Sequence, residues 1–260
     1  TKTFSADAFE SETVVVDDSA ATTLTLQAED TKSYDLSGVS TTNSAVLNFS
    51  VASGESATLT AISSDFDDIL VAGTLNTTAA IASGKNISDD GASSKLVITS
   101  NGSIDASNID VDMIEIDSGV SGTVTITNLS TNVDASTAAS ANLDLTLTAT
   151  NGIQITTAGG TNTIDADALT DGQSVTGSGD NAASISVVAG DVSASGNGAY
   201  TVTATTGTNV ITTGDGNDNI DGGSGADTIS AGDGTNSITG GDGADGMTGG
   251  IGSDTFVVGT

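Results

Sequence analysis

Residues 213–257 repeat a nine-residue unit five times without insertion: TGDGNDNID, GGSGADTIS, AGDGTNSIT, GGDGADGMT and GGIGSDTFV. Glycine fills the second position (Gly214, Gly223, Gly232, Gly241, Gly250) and the fourth (Gly216, Gly225, Gly234, Gly243, Gly252). The sixth position carries Asp218, Asp227, Asn236, Asp245 and Asp254, and the eighth is apolar: Ile220, Ile229, Ile238, Met247 and Phe256. A preceding copy at 204–212, ATTGTNVIT, keeps the phase through Gly207, Asn209 and Ile211 but lacks the leading glycines. Self-similarity at a fixed short period is the signature of stacked-repeat architectures.

Each position has a physical rationale. Glycine lets the backbone adopt positive φ and pass close to an ion that a Cβ would hold off. Aspartate offers a hard anionic oxygen, and calcium takes six to eight oxygens from carboxylates and carbonyls. The triplet around position eight is a very short strand whose single inward side chain fills a narrow core, because side chains alternate along a strand. One nonapeptide then makes one turn and one strand, and two make a coil of 18 residues. Position-six residues 18 apart stack on a common edge: Asn209, Asp227 and Asp245 on one, Asp218, Asn236 and Asp254 on the other. Calcium ions are expected between stacked turns, at Asn209/Asp227, Asp218/Asn236, Asp227/Asp245 and Asn236/Asp254, with turn carbonyls at positions two and four completing each shell. The alternative is a glycine-rich acidic tail with no fold of its own, a state expected of the same segment without calcium.

Charge narrows the partners. The chain holds four basic residues (Lys2, Lys32, Lys85, Lys95) against 34 acidic ones, a formal charge of −30. Nucleic acid and anionic membrane surfaces need Lys and Arg, which no residue beyond Lys95 supplies. Such self-repulsion opposes a compact state unless counter-ions neutralise it. Cysteine, histidine, tryptophan and proline are absent, which removes disulfides, thiol chemistry and the common acyl-transfer machinery. Paired carboxylates such as Asp67 with Asp68 or Asp89 with Asp90 could serve glycoside hydrolysis, but sugar sites stack on aromatics and only Tyr34, Tyr200 and five phenylalanines are present. The expectation is a protein that is not an enzyme. No run approaches the roughly 18 apolar residues of a membrane span, and no cleavable leader pattern opens the chain.

Short strands run throughout. Over residues 1–95 their spacing is irregular, with candidates at 13–16, 23–27, 45–51, 56–62 and 69–71; the cluster Asp65-Phe66-Asp67-Asp68 reads as a loop between strands. From residue 96 the rhythm tightens. Segments at 124–126, 143–147, 163–165, 184–188 and 201–203 recur every 17 to 21 residues. A second series lies between them, at 132–134, 153–155, 174–176, 191–193 and 209–211. Two strands per coil is the rhythm of a solenoid, and Gly160, Asn162 and Ile164 look like an eroded nonapeptide in phase. The predicted fold is all-β, a β-solenoid (parallel β-roll) whose coils become regular toward the C-terminus; a β-sandwich is the competing arrangement. Three segments are expected: an irregular β region or cap at 1–95, degenerate coils at 96–203 and calcium-binding coils at 204–260.

The nonapeptides match the G-G-x-G-x-D-x-U-x pattern and resemble RTX proteins over 204–258. The Thr/Ser/Ala/Asn/Gly-rich region before them, with segments such as 103–107 and 110–116, makes the whole look like the calcium-dependent surface-layer proteins of Gram-negative bacteria. That resemblance implies export by a type I system, calcium-driven folding outside the cell, and self-association into a lattice or filament. It also implies attachment to outer-membrane lipopolysaccharide or glycan through another region. No non-repeat secretion segment follows the repeats, so the sequence is expected to be an internal or truncated piece. Two rivals share the repeats: an adhesin or matrix module binding a surface or glycan, and an ice-binding module using Thr-x-Thr pairs such as Thr125 with Thr127 or Thr146 with Thr148.

Overall fold

In the computed structural model, which describes residues 2–9, 14–16, 23–28, 31–41, 46–64, 66–83, 85–89, 93–148, 150 and 152–259, every strand pairs in parallel. Parallel strands one coil apart need no hairpin turns, which fits a proline-free chain rich in Thr, Ser, Asn and Gly. The chain divides into two compact units, Thr1–Asp117 and Ser118–Thr260. Each is a stack of parallel coils; neither is a sandwich.

In the first unit one ladder joins Lys2–Ser5, Thr23–Gln27, Val46–Val51, Phe66–Val71, Asn86–Asp89 and Ile109–Asp110. Its inward column runs Leu26, Phe49, Ile69, Ile87, Ile109, all buried. A second ladder joins Lys32–Leu36, Ser56–Ile62, Thr74–Thr77, Lys95–Ile98 and Met113–Ile116, and brings Tyr34 over Leu59. Tyr34 and Phe49 meet edge to face inside this core, ring centroids 5.6 Å apart. A one-turn helix, Ala79–Ala82, is capped by the Thr78 hydroxyl, which accepts the Ile81 N–H. The change of rhythm near residue 95 falls inside this unit, where Lys95–Ile98 continues the ladder. Phe66–Val71 is a strand, so the loop expected at Phe66, Asp67 and Asp68 is corrected. Phe66 is buried opposite Leu47 and the strand alternates inward and outward; Asp65 lies outside the described residues, as do Thr13 and Ala45 of two expected strands.

In the second unit the two strand series expected from spacing form two ladders. One runs from Ser121–Leu129 through Ser140–Leu147, Asn162–Asp165, Ala183–Val187 and Tyr200–Ala204 to Asn219–Asp221, Ser237–Thr239 and Thr255–Val257. Its inward column is Ile126, Leu145, Ile164, Ile185, Val202, Ile220, Ile238, Phe256. The facing ladder stacks Ile153, Val175 and Val192 in one column, and Val192 continues over Ile211, Ile229 and Met247. Each nonapeptide buries one apolar side chain in this narrow core, and the last, Phe256, is 46% exposed. No helix among the described residues is long and apolar enough to cross a membrane.

Candidate metal centre

Five of the position-six side chains reach back across one coil to a backbone amide, whereas Asn209 Oδ1 is buried without a partner. Asp218 Oδ1 accepts the Tyr200 N–H at 2.8 Å, Asn236 Oδ1 the Asp218 N–H at 2.9 Å, and Asp254 Oδ1 the Asn236 N–H at 3.0 Å. On the other edge Asp227 Oδ1 accepts the Asn209 N–H at 2.9 Å and Asp245 Oδ1 the Asp227 N–H at 3.0 Å. The four expected pairs are therefore brought together, and Tyr200/Asp218 adds a fifth contact. Asn209, Asp218, Asp227 and Asn236 are buried, whereas Asp245 and Asp254 are half-buried.

At Asn209, Asp227 and Asn236 the second atom of the side chain lies by a position-one carbonyl 13 residues further on. Where position six is asparagine, the amide donates to that carbonyl: Asn209 Nδ2 to Gly222 O at 3.3 Å, Asn236 Nδ2 to Gly249 O at 3.1 Å. Where it is aspartate, two acceptors meet. The point where a Cβ on Gly222 would stand lies 2.7 Å from Gly240 O and 2.8 Å from Asp227 Oδ2. Asp227 Oδ2 is buried and has no hydrogen-bond partner, and the same holds for Asp218 Oδ2. Beside Asp218 the Thr213 hydroxyl donates to Ala231 O at 3.0 Å. Burial pushes both carboxyl groups above their ordinary value, against the pull of the Thr213 hydroxyl and then the Tyr200 N–H on Asp218 and of the Asn209 N–H on Asp227.

Buried oxygens without donors call for a cation. Calcium takes hard oxygen ligands of this kind, and a Cβ at position 222 would crowd both Asp227 Oδ2 and Gly240 O, which glycine leaves open. Among the described residues no three carboxylates cluster, so carbonyls must supply most of each shell. The residues fit the ion.

Position-four glycines serve the close approach of coils. A Cβ on Gly225, Gly234, Gly243 or Gly252 would overlap the carbonyl oxygen of the position-four glycine one coil earlier, and all four have φ between 132° and 149°. Gly214 and Gly216 are not in the left-handed region; there a Cβ would strike the carbonyls of Gly196 and Gly198. At position two, Gly223, Gly232, Gly241 and Gly250 do take positive φ.

Sequence reasoning missed position one and Tyr200. The signal for the first was present: Gly222, Gly240 and Gly249 accompany Asp227, Asp245 and Asp254, whereas alanine accompanies both asparagines. Tyr200 gave none, because its place above Asp218 depends on register. Its hydroxyl donates to Gly179 O and Ser195 O, each at 2.8 Å, and burial with the nearby Asp218 and Asp180 charges pushes its pKa up to about 12.

The other candidates stay apart from these edges. Asp68 accepts the Asn86 amide within the first unit; Asp89 is exposed, and Asp90 and the Asp67 side chain lie outside the described residues. Tyr34 and Tyr200, both at most 1% exposed, offer no platform for a sugar. Thr125 stands beside Asp144, and Thr146 beside Asp165, so neither threonine pair continues as a threonine array.

With the geometry in hand, comparison identifies the repeats. The family model described as the RTX calcium-binding nonapeptide repeat (4 copies) matches residues 195–229, 203–238 and 221–256. No curated protein and no solved structure matches the chain. The C-terminal coils are RTX repeats, and RTX repeats bind Ca2+. Proteins that carry them are typically secreted.

Proposed function

We propose that the chain is a structural part of a bacterial cell-surface protein, that its nonapeptide coils fold on calcium outside the cell, and that copies then associate into a lattice. The observation that carries this reading is the pair of buried carboxylate oxygens without a hydrogen-bond partner, Asp218 Oδ2 and Asp227 Oδ2, the second of which lies with Gly240 O close to where a Cβ on Gly222 would stand. Asp218, Asp227, Asp245 and Asp254, with Asn209 on the edge of Asp227 and the turn carbonyls between Gly214 and Gly252, are the residues assigned to the ions, and Asn236 stacks among them. Calcium supplies the positive charge that this edge lacks. The chain's own residues do the rest: Oδ1 atoms clamp each coil to its neighbour, glycines bring the carbonyls close, and one apolar side chain per repeat closes the core.

Export follows from the same chemistry. Residues 204–258 hold eight aspartates and no basic side chain. Burying one apolar side chain contributes about 1.5–3 kcal/mol, which falls well short of ordering nine residues at about 1–2 kcal/mol each. Ion binding must then supply much of the folding free energy. Where free calcium is scarce, as in a bacterial cytosol, the segment stays threadable through a type I exporter; in extracellular calcium it closes. Lattice assembly is favoured over an adhesin or ice-binding role by the buried tyrosines and by aspartates interrupting the threonine ranks. An anchor on lipopolysaccharide or another glycan is assigned to a region other than these coils. Negative-stain microscopy of the chain before and after calcium addition tests the lattice. Ordered two-dimensional arrays are expected; particles that stay monomeric at saturating calcium would favour the adhesin.

A further inference from the structure

We infer that Asn236 stands in for the cation, so that the repeat stack mixes an ion-bearing coil at Asp227 with an ion-free coil at Asn236. This deepens the calcium reading above and rests on it. The orientation of Asn236 is fixed by its surroundings. Its Oδ1 accepts the Asp218 N–H, so Nδ2 is the other end, and it donates to Gly232 O at 3.4 Å and Gly249 O at 3.1 Å. Asn209 Nδ2 is also ringed by acceptors, Thr206 O at 3.1 Å with Gly222 O and Asp227 Oδ1 at 3.3 Å, but its Oδ1 is buried without a partner, so only its amide end repeats the pattern. An amide N–H2 thus holds the carbonyls that, beside Asp227, meet a second bare oxygen.

Position one supplies an independent observation. In the two asparagine repeats it is alanine, Ala204 and Ala231, both buried; beside Asp227, Asp245 and Asp254 it is glycine. The backbone there is held alike, Ala231 N–H on Thr248 O and Gly222 N–H on Thr239 O, each at 2.9 Å. The methyl of Ala231 therefore occupies the equivalent of the void beside Gly222. Donor and methyl go together at Asn236 and Ala231, and carboxylate and void at Asp227 and Gly222; Asp218 has Thr213 at position one, whose hydroxyl donates to Ala231 O. Upstream, in the same column of the ladder (Asn162, Ala183, Tyr200, Asp218), Asn162 does the same without any nonapeptide. It is buried and gives Nδ2 to Ala158 O, Gly160 O and Ala182 O at 2.9–3.1 Å. Its Oδ1 accepts the Ala158 N–H at 3.0 Å, so both ends of the amide are met by the protein itself.

Two reciprocal variants of the full chain test this, with calcium counted by equilibrium dialysis and β-structure followed by circular dichroism. Ala231→Gly with Asn236→Asp should bind one more ion than the parent and need more calcium to fold. Gly222→Ala with Asp227→Asn should bind one fewer, and without calcium it should keep more β-structure than Asp227→Ala. If the first variant folds in saturating calcium yet binds the parental number, the inference fails. Should it not fold, the second decides: an unchanged count, or no more calcium-free structure than Asp227→Ala, overturns the inference. A parent that binds no calcium at all overturns the underlying reading instead.

Discussion

The first unit and the nonapeptide coils stack parallel strands in the same manner but neutralise their facing oxygens differently. In the first unit the chain provides its own cations. Lys85 Nζ donates to Ser63 O at 2.9 Å and Phe66 O at 3.3 Å, Lys95 pairs with Glu115 at 2.7 Å, and Lys32 pairs with Asp7. Tyr34, Phe49 and a column of Leu and Ile fill its interior. Beyond Lys95 the sequence has no basic side chain, and each nonapeptide contributes a single Ile, Met or Phe to the core. On the proposed reading, a coil that carries its own cation and bulk should fold unconditionally, and a coil that leaves the cation to the solvent should fold where the ion is. The difference turns one architecture into a scaffold and a switch.

Removing calcium should break that comparison most openly. Peptide-resolved hydrogen exchange on the full chain in excess chelator should show protection lost across 204–258 and retained in the column Leu26, Phe49, Ile69 and Ile87. Protection of the nonapeptide strands equal to that of the first unit would mean that their closure does not depend on the ion.

Among single carboxylates, Asp227 should matter more than Asp254. Asp227→Ala uncovers the buried Asn209 N–H and removes an oxygen from between two coils of its edge; a buried donor left unmet costs about 1–3 kcal/mol. Asp254 is half-buried and clamps one coil, through the Asn236 N–H. Calcium titrations followed by circular dichroism should give a clearly higher midpoint for Asp227→Ala. Equal midpoints would show that the ions do not act as a stack.

Much of this contrast was readable in the residues, and the reasons are specific. Glycine, aspartate and isoleucine at fixed places in nine gave the coil length, the two edges and the pairs that meet, because a strict period leaves one way to stack. The 17-to-21 rhythm upstream placed the strands of the second unit within three residues at each end, the widest misses being at Ser121–Leu129 and Ser140–Leu147. Residues 66–68 misled because two aspartates around a phenylalanine look like a solvated turn, whereas a parallel neighbour, Leu47, makes Phe66 an inward strand residue. Position one misled differently. Its alternation of glycine and alanine is visible in the letters, but its meaning depends on a carbonyl 13 residues away, which only the folded coil brings near.

Acidity offers a smaller effect with a definite sign. Burial raises the Asp218 and Asp227 carboxyl groups above 3.8. A carboxyl whose folded pKa exceeds its unfolded one holds a proton more tightly when folded, so stability grows as pH falls through the raised value and is fully gained below the unfolded one. Calcium-stripped protein, kept dilute because its isoelectric point is near 4.1, should therefore gain β-structure as pH drops from 7 toward about 4. With calcium present the sign reverses, since protons and the ion compete for the same oxygens. A calcium-free signal that is flat or falls over this window would show that these two charges do not oppose closure.

The smallest effects should come from the first unit's own cations, and they separate a buried bridge from a surface pair. Lys85→Met leaves the carbonyls of Ser63 and Phe66 without the donor they share, and its cost should approach the 1–3 kcal/mol of unmet polar groups. Lys95→Met removes a pair whose side chains are 41% and 28% exposed, so solvent screening should hold its cost to about 0–1 kcal/mol. Hydrogen exchange in calcium, read at the strands Phe66–Val71 and Lys95–Ile98, should show faster opening for the first substitution and little change for the second. Neither should move the calcium midpoint of the nonapeptide coils, because no lysine lies among them. A shift of that midpoint on Lys85→Met would mean that the lysine-bridged coils and the calcium-bridged coils do not close independently, and the comparison between scaffold and switch would have to be redrawn as a single cooperative stack.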